Sequence, residues 1–218
     1  MAKIGILLSG CGVNDGSEIH EAVLTMLALD RLGVERLCIA PDINQHDVVN
    51  HLSGAASDET RNVLLESARI ARGEIADLAT ISAKDMDAVI LPGGFGAAKN
   101  LSDFAVAGVQ AQVQPEVLRF LKDMHQAKKP IGAICIAPAV IAIALGEFNP
   151  VLTIGNDPAT ATALESFGAR HQDCRVDDIV VDQNNLLVTT PAYMLGPGLK
   201  EIAQGIDKLV QQIVVLAV

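Results

Sequence analysis

The sequence predicts an α/β protein built on a doubly wound, mainly parallel sheet. Short apolar runs alternate along the 218 residues with longer segments whose apolar residues recur at helical spacing. The short runs are continuously apolar, which is typical of parallel strands covered by helices on both faces. This alternation of strands and helices predicts a single layered sheet. Since neither a linker nor a repeat interrupts the pattern, we expect one domain over residues 1–218.

The first half of the chain supplies the clearest strands and helices. Strands are expected over residues 3–8, 36–40, 88–91 and 130–134. Residues 18–32 are expected to form the first helix, because their apolar positions recur at helical spacing and Gly33 follows as a stop signal. Further helices are expected over residues 60–71 and 115–127, and Pro115 suits a first helical position.

The second half of the chain adds helices and a hairpin. Asp157 is expected to cap a helix that starts at Pro158 and ends near Gly168. Residues 179–182 and 186–190 flank a polar QNN turn, which predicts a C-terminal hairpin.

Two longer segments complete the expected fold. Residues 199–217 carry an apolar stripe at helical spacing, which predicts the last helix. Residues 42–83 are too many for a single crossover between neighbouring strands, so we expect a helical excursion within this region.

The charge and hydropathy of the chain exclude several classes of function. With 16 Lys and Arg against 26 Asp and Glu, the net charge is −10, which argues against a nucleic-acid partner. The longest uncharged stretch, residues 130–146, contains Pro138 and is shorter than the roughly 20 apolar residues of a membrane span. Residues 4–8 are too short an apolar run for a signal peptide, so no membrane partner is expected.

The cysteines indicate the cellular compartment and exclude two classes of scaffold. The four cysteines are scattered and none belongs to a CxxC pair, which excludes a disulfide scaffold or a zinc ribbon. Such thiols are typical of a reducing compartment, and we expect a cytoplasmic protein. A metal site is not expected, because no cluster of His, Cys and carboxylate residues has ligand spacing.

Cys135 is the strongest candidate for a nucleophile. Residues 132–138 read GAICIAP, with an apolar strand before the cysteine and a helical pattern after it. Ligands of open α/β sheets bind at the carboxyl ends of strands, which is where this thiol lies. The dipole and free N–H groups of the following helix are expected to lower its pKa. The alternative is that Cys135 is a small buried apolar residue.

A glycine-rich turn at the end of another strand is a candidate oxyanion site. Residues 92–96 read PGGFG, and glycines at this position let backbone N–H groups point at a ligand. Together with the N–H of Ile136, those of Gly93 and Gly94 are candidates for an oxyanion hole beside Cys135. The alternative is an ordinary glycine-rich turn.

Glu18 and Glu21 are candidates for the acid or base. They are three residues apart and share one face of the first expected helix. One of them is expected to contact Cys135 or move a substrate proton, and the other to stabilise the helix N-terminus. His20 is expected to be an exposed surface histidine. No histidine follows Cys135 closely, so a Cys–His–Asp triad is not predicted.

Four further residues follow the carboxyl ends of expected strands and are candidates to line the same pocket. They are Gly10, Cys11, Thr190 and Pro191.

These motifs resemble the PfpI-type, class I glutamine-amidotransferase-like superfamily. The resemblance rests on residues 132–138, residues 92–96 and the glutamate of the first helix. More narrowly, the chain is similar to the ElbB-like glyoxalase group, which is associated with isoprenoid (lycopene) biosynthesis. The segments that carry this likeness are SGCG at 9–12, DGSEIHE at 15–21, LPGGFGAAKNL at 91–101, LTIG at 152–155, DDIVVD at 177–182 and TTPAYM at 189–194.

The resemblance implies a fold, an activity and an assembly. It implies a single class I glutamine-amidotransferase-like domain folded as a flavodoxin-like three-layer sandwich with a C-terminal hairpin. It also implies cofactor-independent conversion of glyoxal, a small dicarbonyl substrate, to glycolate through the Cys135 nucleophile, in a homodimer. The position of the superfamily's carboxylate relative to Gly33 favours Glu21, with Glu18 second.

The same resemblance leaves other functions open. Ile136 stands where the protease branch of the superfamily has histidine, which argues against peptidase and glutaminase activity. One alternative is a redox-sensing or regulatory thiol protein whose glyoxalase activity is incidental, since an exposed thiol beside a carboxylate can stop at sulfinic acid. A weaker alternative is an amidotransferase subunit that has lost its glutaminase histidine.

Overall fold

A seven-stranded sheet forms the centre of the structure, a computed structural model that describes residues 2–196 and 198–217. The strands of the chain are β1 Lys3–Leu7, β2 Glu35–Ala40, β3 Val48–Val49, β4 Ala56–Ser57, β5 Ile75–Asp77, β6 Ala88–Leu91, β7 Ile131–Ile134, β8 Val151–Leu152, β9 Arg170–His171, β10 Val180–Asp182 and β11 Leu187–Thr190. The order in the main sheet is β10-β11-β7-β6-β1-β2-β5. Only β10 and β11 pair antiparallel in this sheet, which confirms a mainly parallel sheet with a C-terminal hairpin.

Helices cover both faces of this sheet. They are α1 Ile19–Arg31, α2 Val63–Ile70, α3 Phe95–Lys99, α4 Phe104–Ala107, α5 Pro115–Gln126, α6 Pro138–Leu145, α7 Pro158–Ser166 and α8 Leu199–Leu216. The expected strands and long helices agree with these bounds within a few residues. The predicted domain limits at residues 1 and 218 lie outside the described residues.

The pleat of the strands explains the three layers. Successive side chains of a strand point to opposite faces. On β1, Ile4 and Ile6 therefore pack in one cluster with residues of α1, α2 and α8, while Leu7 packs in the other with residues of α3, α5 and α6. All three side chains are fully buried. The flavodoxin-like three-layer sandwich is thus confirmed.

The region between residues 42 and 83 holds more than the expected helical excursion. It contains helix α2, whose first turn is capped by the Asn62 side chain accepting the N–H of Leu65 at 3.0 Å. It also contains the two-stranded β3–β4 sheet and strand β5, which extends the edge of the main sheet beside β2. These strands are two or three residues long, too short to leave a periodic pattern in the sequence.

The order of the strands determines where a ligand can bind. From β1 the chain builds the sheet outward through β2 to β5 on one side, and β6, β7 and β11 lie on the other. The order therefore reverses between β1 and β6, and a crevice is expected at the carboxyl ends of these strands. Within the described residues, no helix combines the length and apolar character needed to cross a membrane.

Candidate active site

Cys135 lies in a sharp turn between β7 and α6. Its backbone is left-handed, with φ +61°, a conformation that few residues other than glycine adopt. The turn is held because the N–H of Cys135 donates to the carbonyl of Thr190, after β11, at 3.0 Å. Its side chain is nearly buried, with the residue 7% exposed. The N–H groups of Gly94 and Ile136 face its sulfur and favour the thiolate.

Glu21 brings a carboxyl group to this sulfur from the first turn of α1. The residue is fully buried, and its carboxyl lies beside the Cys135 thiol, close enough for its charge to act on the sulfur. Its Oε2 atom accepts the N–H of Gly93 at 2.8 Å, and Oε1 accepts the N–H of Tyr193 at 3.3 Å. The segments after β1, β6, β7 and β11 therefore converge on a single thiol–carboxyl pair.

Glu18 has a different role from Glu21. It is the N-cap residue of α1, and its Oε2 atom accepts the N–H of Glu21 at 2.7 Å. Its own N–H donates to the carbonyl of Gly93 at 2.9 Å. The geometry thus separates the two carboxylates that the sequence left open: Glu21 contacts the thiol and Glu18 caps the helix that carries it.

The two glycines after β6 are required by the close approach of three segments. A Cβ atom on Gly93 would lie 2.5 Å from that of Cys135 and 2.7 Å from Oε2 of Glu21. Gly94 has φ +92°, and a Cβ there would lie 2.4 Å from the backbone nitrogen of Glu18. The N–H of Gly93 is committed to Glu21, which corrects its prediction as an oxyanion donor; those of Gly94 and Ile136 face the sulfur.

Burial controls the protonation of the pair. Desolvation, followed by the charge of Glu18, raises the pKa of Glu21 to about 8, although the N–H groups of Gly93 and Tyr193 oppose the shift. Desolvation, followed by the charge of Glu21, raises the pKa of Cys135 well above its ordinary value. The prediction of a lowered pKa is therefore wrong for the free protein, because burial outweighs the N–H donors near α6. The thiol needs a base to become a nucleophile.

The four predicted pocket residues fall into two groups. The carbonyl of Thr190 holds the Cys135 turn, and Pro191 follows directly, so these two adjoin the pair. Besides burial, the charged groups that shift the pKa of the Cys11 thiol are instead Glu66, Arg69, Asp15 and Arg61.

Gly10 belongs to the second of these groups, because its N–H donates to the hydroxyl of Ser67 on α2 at 2.9 Å. Cys11 and Gly10 thus lie at the neighbouring contact between the loop after β1 and helix α2.

Tyr193 is a residue of the site that was not predicted from the sequence. Its N–H reaches Glu21, and its hydroxyl is 2.7 Å from Nδ1 of His20. The available signal was its place just after β11 as the single tyrosine of the chain. The prediction of an exposed His20 is confirmed, since its side chain is 57% exposed. The bond between His20 and Tyr193 joins residues that are 173 positions apart in the sequence.

Comparison with known proteins agrees with this geometry. The model of the DJ-1/PfpI family matches residues 11–194, most of the chain. The chain belongs to the DJ-1/PfpI family. The matched segment contains Glu21, Cys135 and Tyr193, and the resemblance to a PfpI-type protein is confirmed.

Individual relatives extend the match to nearly the whole chain. The human glutamine amidotransferase-like class 1 domain-containing protein 3, mitochondrial, is 48% identical over 99% of this chain and 83% of its own length. The zebrafish (Danio rerio) ES1 protein, mitochondrial, is 35% identical over 88% of this chain and 77% of its own length. The crystal structure of an isoprenoid biosynthesis protein with amidotransferase-like domain from Ehrlichia chaffeensis is 39% identical. It superimposes with a TM-score of 0.93, and 99% of each chain is covered.

These relatives correct one prediction. The human and zebrafish proteins are both named as mitochondrial, which contradicts the cytoplasmic location predicted from the sequence, and that prediction is wrong. It rested on scattered free cysteines and on the shortness of the apolar run at residues 4–8. Free thiols indicate a reducing environment but do not distinguish one such compartment from another.

Histidines do not assist Cys135 directly in this DJ-1/PfpI protein. Four of the five histidine rings bond to other groups: His20 to Tyr193, His51 to Val49 and Asn14, His125 to Asn185, and His171 to Ile154. The fifth, His46, is exposed. In the part of the chain that the structure describes, no three His, Cys, Asp or Glu side chains are placed to hold a metal ion. The carboxyl of Glu21 is thus the titratable side chain that the structure places beside the thiol.

Proposed function

We propose that this protein converts glyoxal to glycolate without a cofactor, with Cys135 as the nucleophile and Glu21 as the base. The observation that carries the proposal is the placement of the buried Glu21 carboxyl beside the Cys135 thiol, both next to Gly93. A base within hydrogen-bond reach of a nucleophile is the arrangement that covalent catalysis needs. A two-carbon dicarbonyl also suits a sulfur that belongs to a residue only 7% exposed.

The first step of the proposed reaction forms a carbon–sulfur bond. The ionised carboxylate of Glu21 accepts the thiol proton while the sulfur attacks one aldehyde carbon of glyoxal. The π electrons of that carbonyl move to its oxygen, which is then two bonds away from the sulfur. The N–H groups of Gly94 and Ile136, which face the sulfur in the free protein, then stabilise this oxyanion. Protonation gives a hemithioacetal.

The second step moves hydrogen between the two carbons. Glu21 removes the proton from the carbon bonded to sulfur, which gives an enediol, and returns a proton to the neighbouring carbon. The product is a thioester of glycolate, and water cleaves its C–S bond to release glycolate and the thiol. One carbon is oxidised and the other reduced, so the reaction requires no external electron acceptor.

The likeness to a protein of isoprenoid biosynthesis supports the wider assignment. The Ehrlichia chaffeensis structure that bears this description shares 39% of its sequence with the chain. We therefore associate the proposed glyoxalase with isoprenoid biosynthesis.

Glycolate formation from glyoxal, with no cofactor added, tests the proposal. Cys135→Ser should abolish turnover, because a serine hydroxyl is a much weaker acid than a thiol. Cys11→Ser is the matched control, since Cys11 also follows a strand but lies with Glu66 and Arg69 instead of Glu21. Wild-type turnover in Cys135→Ser would remove the thiol from the mechanism and overturn the proposal.

A redox-sensing role for Cys135 is the second candidate. The observation that favours it is the Glu21 carboxyl, which with a pKa of about 8 is protonated at neutral pH and able to donate to a sulfinic acid oxygen. Mild peroxide supplies the two oxygen atoms and leaves water. Intact mass measurement should then show selective addition at Cys135. Equal oxidation of all four cysteines would exclude this role.

A further inference from the structure

We propose that Tyr193 and His20 are positioning residues for Glu21: their hydrogen bond holds the turn after β11 against α1. The inference rests on the proposed role of Glu21 as base. It assigns a task to an exposed histidine and to a side chain that the proposed mechanism does not use.

Tyr193 contacts the first turn of α1 through two separate groups. Its backbone N–H donates to Oε1 of Glu21 at 3.3 Å, and its hydroxyl is 2.7 Å from Nδ1 of His20, the preceding residue on the helix. The rings of Tyr193 and His20 also lie 5.9 Å apart between centroids. The bond between the Tyr193 hydroxyl and His20 therefore sets the distance between the Tyr193 N–H and the Glu21 carboxyl.

The backbone bond needs this support. At 3.3 Å it is beyond the usual length of an N–H···O bond, so a small movement of the turn would break it. The turn itself is strained, because the preceding residue, Ala192, has φ +43° and a side chain that disfavours this conformation. A strained turn persists only when its surroundings hold it, and the Tyr193–His20 bond joins it to a helix of 13 residues.

The groups that face Glu21 come from four elements. Glu18 on α1 raises its pKa by charge; the N–H of Gly93 after β6, the N–H of Tyr193 after β11 and the thiol of Cys135 after β7 lower it. A donor on the ionised form of a carboxylate favours that form. Loss of the Tyr193 contact thus makes the Glu21 carboxylate, and with it the Cys135 thiolate, harder to form.

The experiment measures alkylation of Cys135 by iodoacetamide as a function of pH, read by peptide mass spectrometry. Tyr193→Phe and His20→Ala should each move the midpoint of the rate profile upward by about half a pH unit, a roughly threefold slower reaction below the midpoint. The double variant should move it no further, because both changes break the same bond. His20→Asn should restore the wild-type profile, since its amide can accept near the position of Nδ1.

This readout separates the inference from the proposed function. Alkylation needs no turnover. If the wild-type protein is inactive on glyoxal but the variants still shift the alkylation profile, the result contradicts the glyoxalase proposal alone. With activity present, the two variants should lower kcat and leave KM unchanged. A Tyr193→Phe profile that coincides with that of the wild type would overturn the inference. Thermal unfolding of each variant shows that it is folded.

Discussion

At the residue scale, desolvation decides the state of the nucleophile. Cys135 receives N–H donors from Gly94 and Ile136, both of which stabilise a thiolate, yet its pKa is raised. Burial beside Glu21 outweighs these donors, because a charge in a dry site loses its hydration. The raised pKa of both partners means that the pair holds its protons at neutral pH. The Glu21 carboxylate must form before it can take the thiol proton.

This protonation order predicts the pH dependence of turnover. The pKa of Glu21 is raised to about 8, so the fraction with an ionised base, and with it kcat/KM for glyoxal, should increase as pH rises through about 8. Glu21→Gln should lower kcat by about 10²–10⁴-fold and remove this rise, because glutamine cannot accept the proton. A variant that keeps the wild-type profile would show that another group is the base.

The residues of the site differ in how far the sequence can reveal them. Cys135 follows from its strand-to-helix turn, and the two glutamates follow from their spacing on one helix. The choice between Glu18 and Glu21 depends on which side chain reaches the thiol, and the direction of the pKa shift depends on depth of burial. Neither quantity is encoded locally, since both arise where segments distant in sequence meet.

At the element scale, the turn after β6 is a tight junction of the site. A Cβ on Gly94 would lie 2.4 Å from the backbone of both Glu18 and Gly16, so only glycine fits between the loop after β1 and the turn after β6. The position of α1, and with it of Glu21, depends on this contact. A second glycine, Gly33 after α1, also has positive φ, +65°, but a Cβ there would meet nothing within 4 Å.

These two glycines form a matched pair for mutation. Gly33→Ala should cost about 1 kcal/mol of unfolding free energy from backbone strain alone and leave glyoxal turnover intact. Gly94→Ala adds a clash with backbone atoms, so it should cost about 3 kcal/mol or more and reduce turnover, because α1 must move. Urea unfolding and glycolate formation measure the two effects. Equal losses in both variants would contradict a special role for the β6 exit.

Length and periodicity explain which elements the sequence reveals. The 18-residue α8 and the 13-residue α1 repeat their apolar positions often enough to be read, and a Schellman motif ends α1 with Val34 donating to the carbonyl of Leu29 at 3.1 Å. Strand β5 has only three residues. Helix α3 has five, Gly96 and Lys99 among them. Such elements form because tertiary contacts place them, which a local pattern cannot show.

At the scale of the whole molecule, the homodimer implied by the family resemblance remains a prediction. Ile19, Val23 and Leu27 form a row on α1 and are 42%, 48% and 39% exposed, apolar surface of the kind that association covers. Light scattering should give twice the 22.9 kDa of one chain. Val23→Glu should reduce that mass, whereas Val106→Glu, at a 61% exposed site on α4, should not. A wild-type mass of one chain would contradict the prediction.

The buried Glu21 also couples the stability of the whole fold to pH. Its pKa is raised from 4.5 in a solvated chain to about 8 in the folded protein, so between these values the folded state binds the proton that the unfolded state has lost. Its stabilising contribution is complete below about pH 4.5 and is lost as pH rises through about 8. A shift of this size corresponds to a loss on the order of 4–5 kcal/mol. Urea unfolding of the wild type and Glu21→Gln across this range isolates the effect, because both share the remaining charges of a chain with net charge −10. The difference in unfolding free energy, wild type minus variant, should decrease as pH rises; a constant difference would mean that Glu21 is solvated.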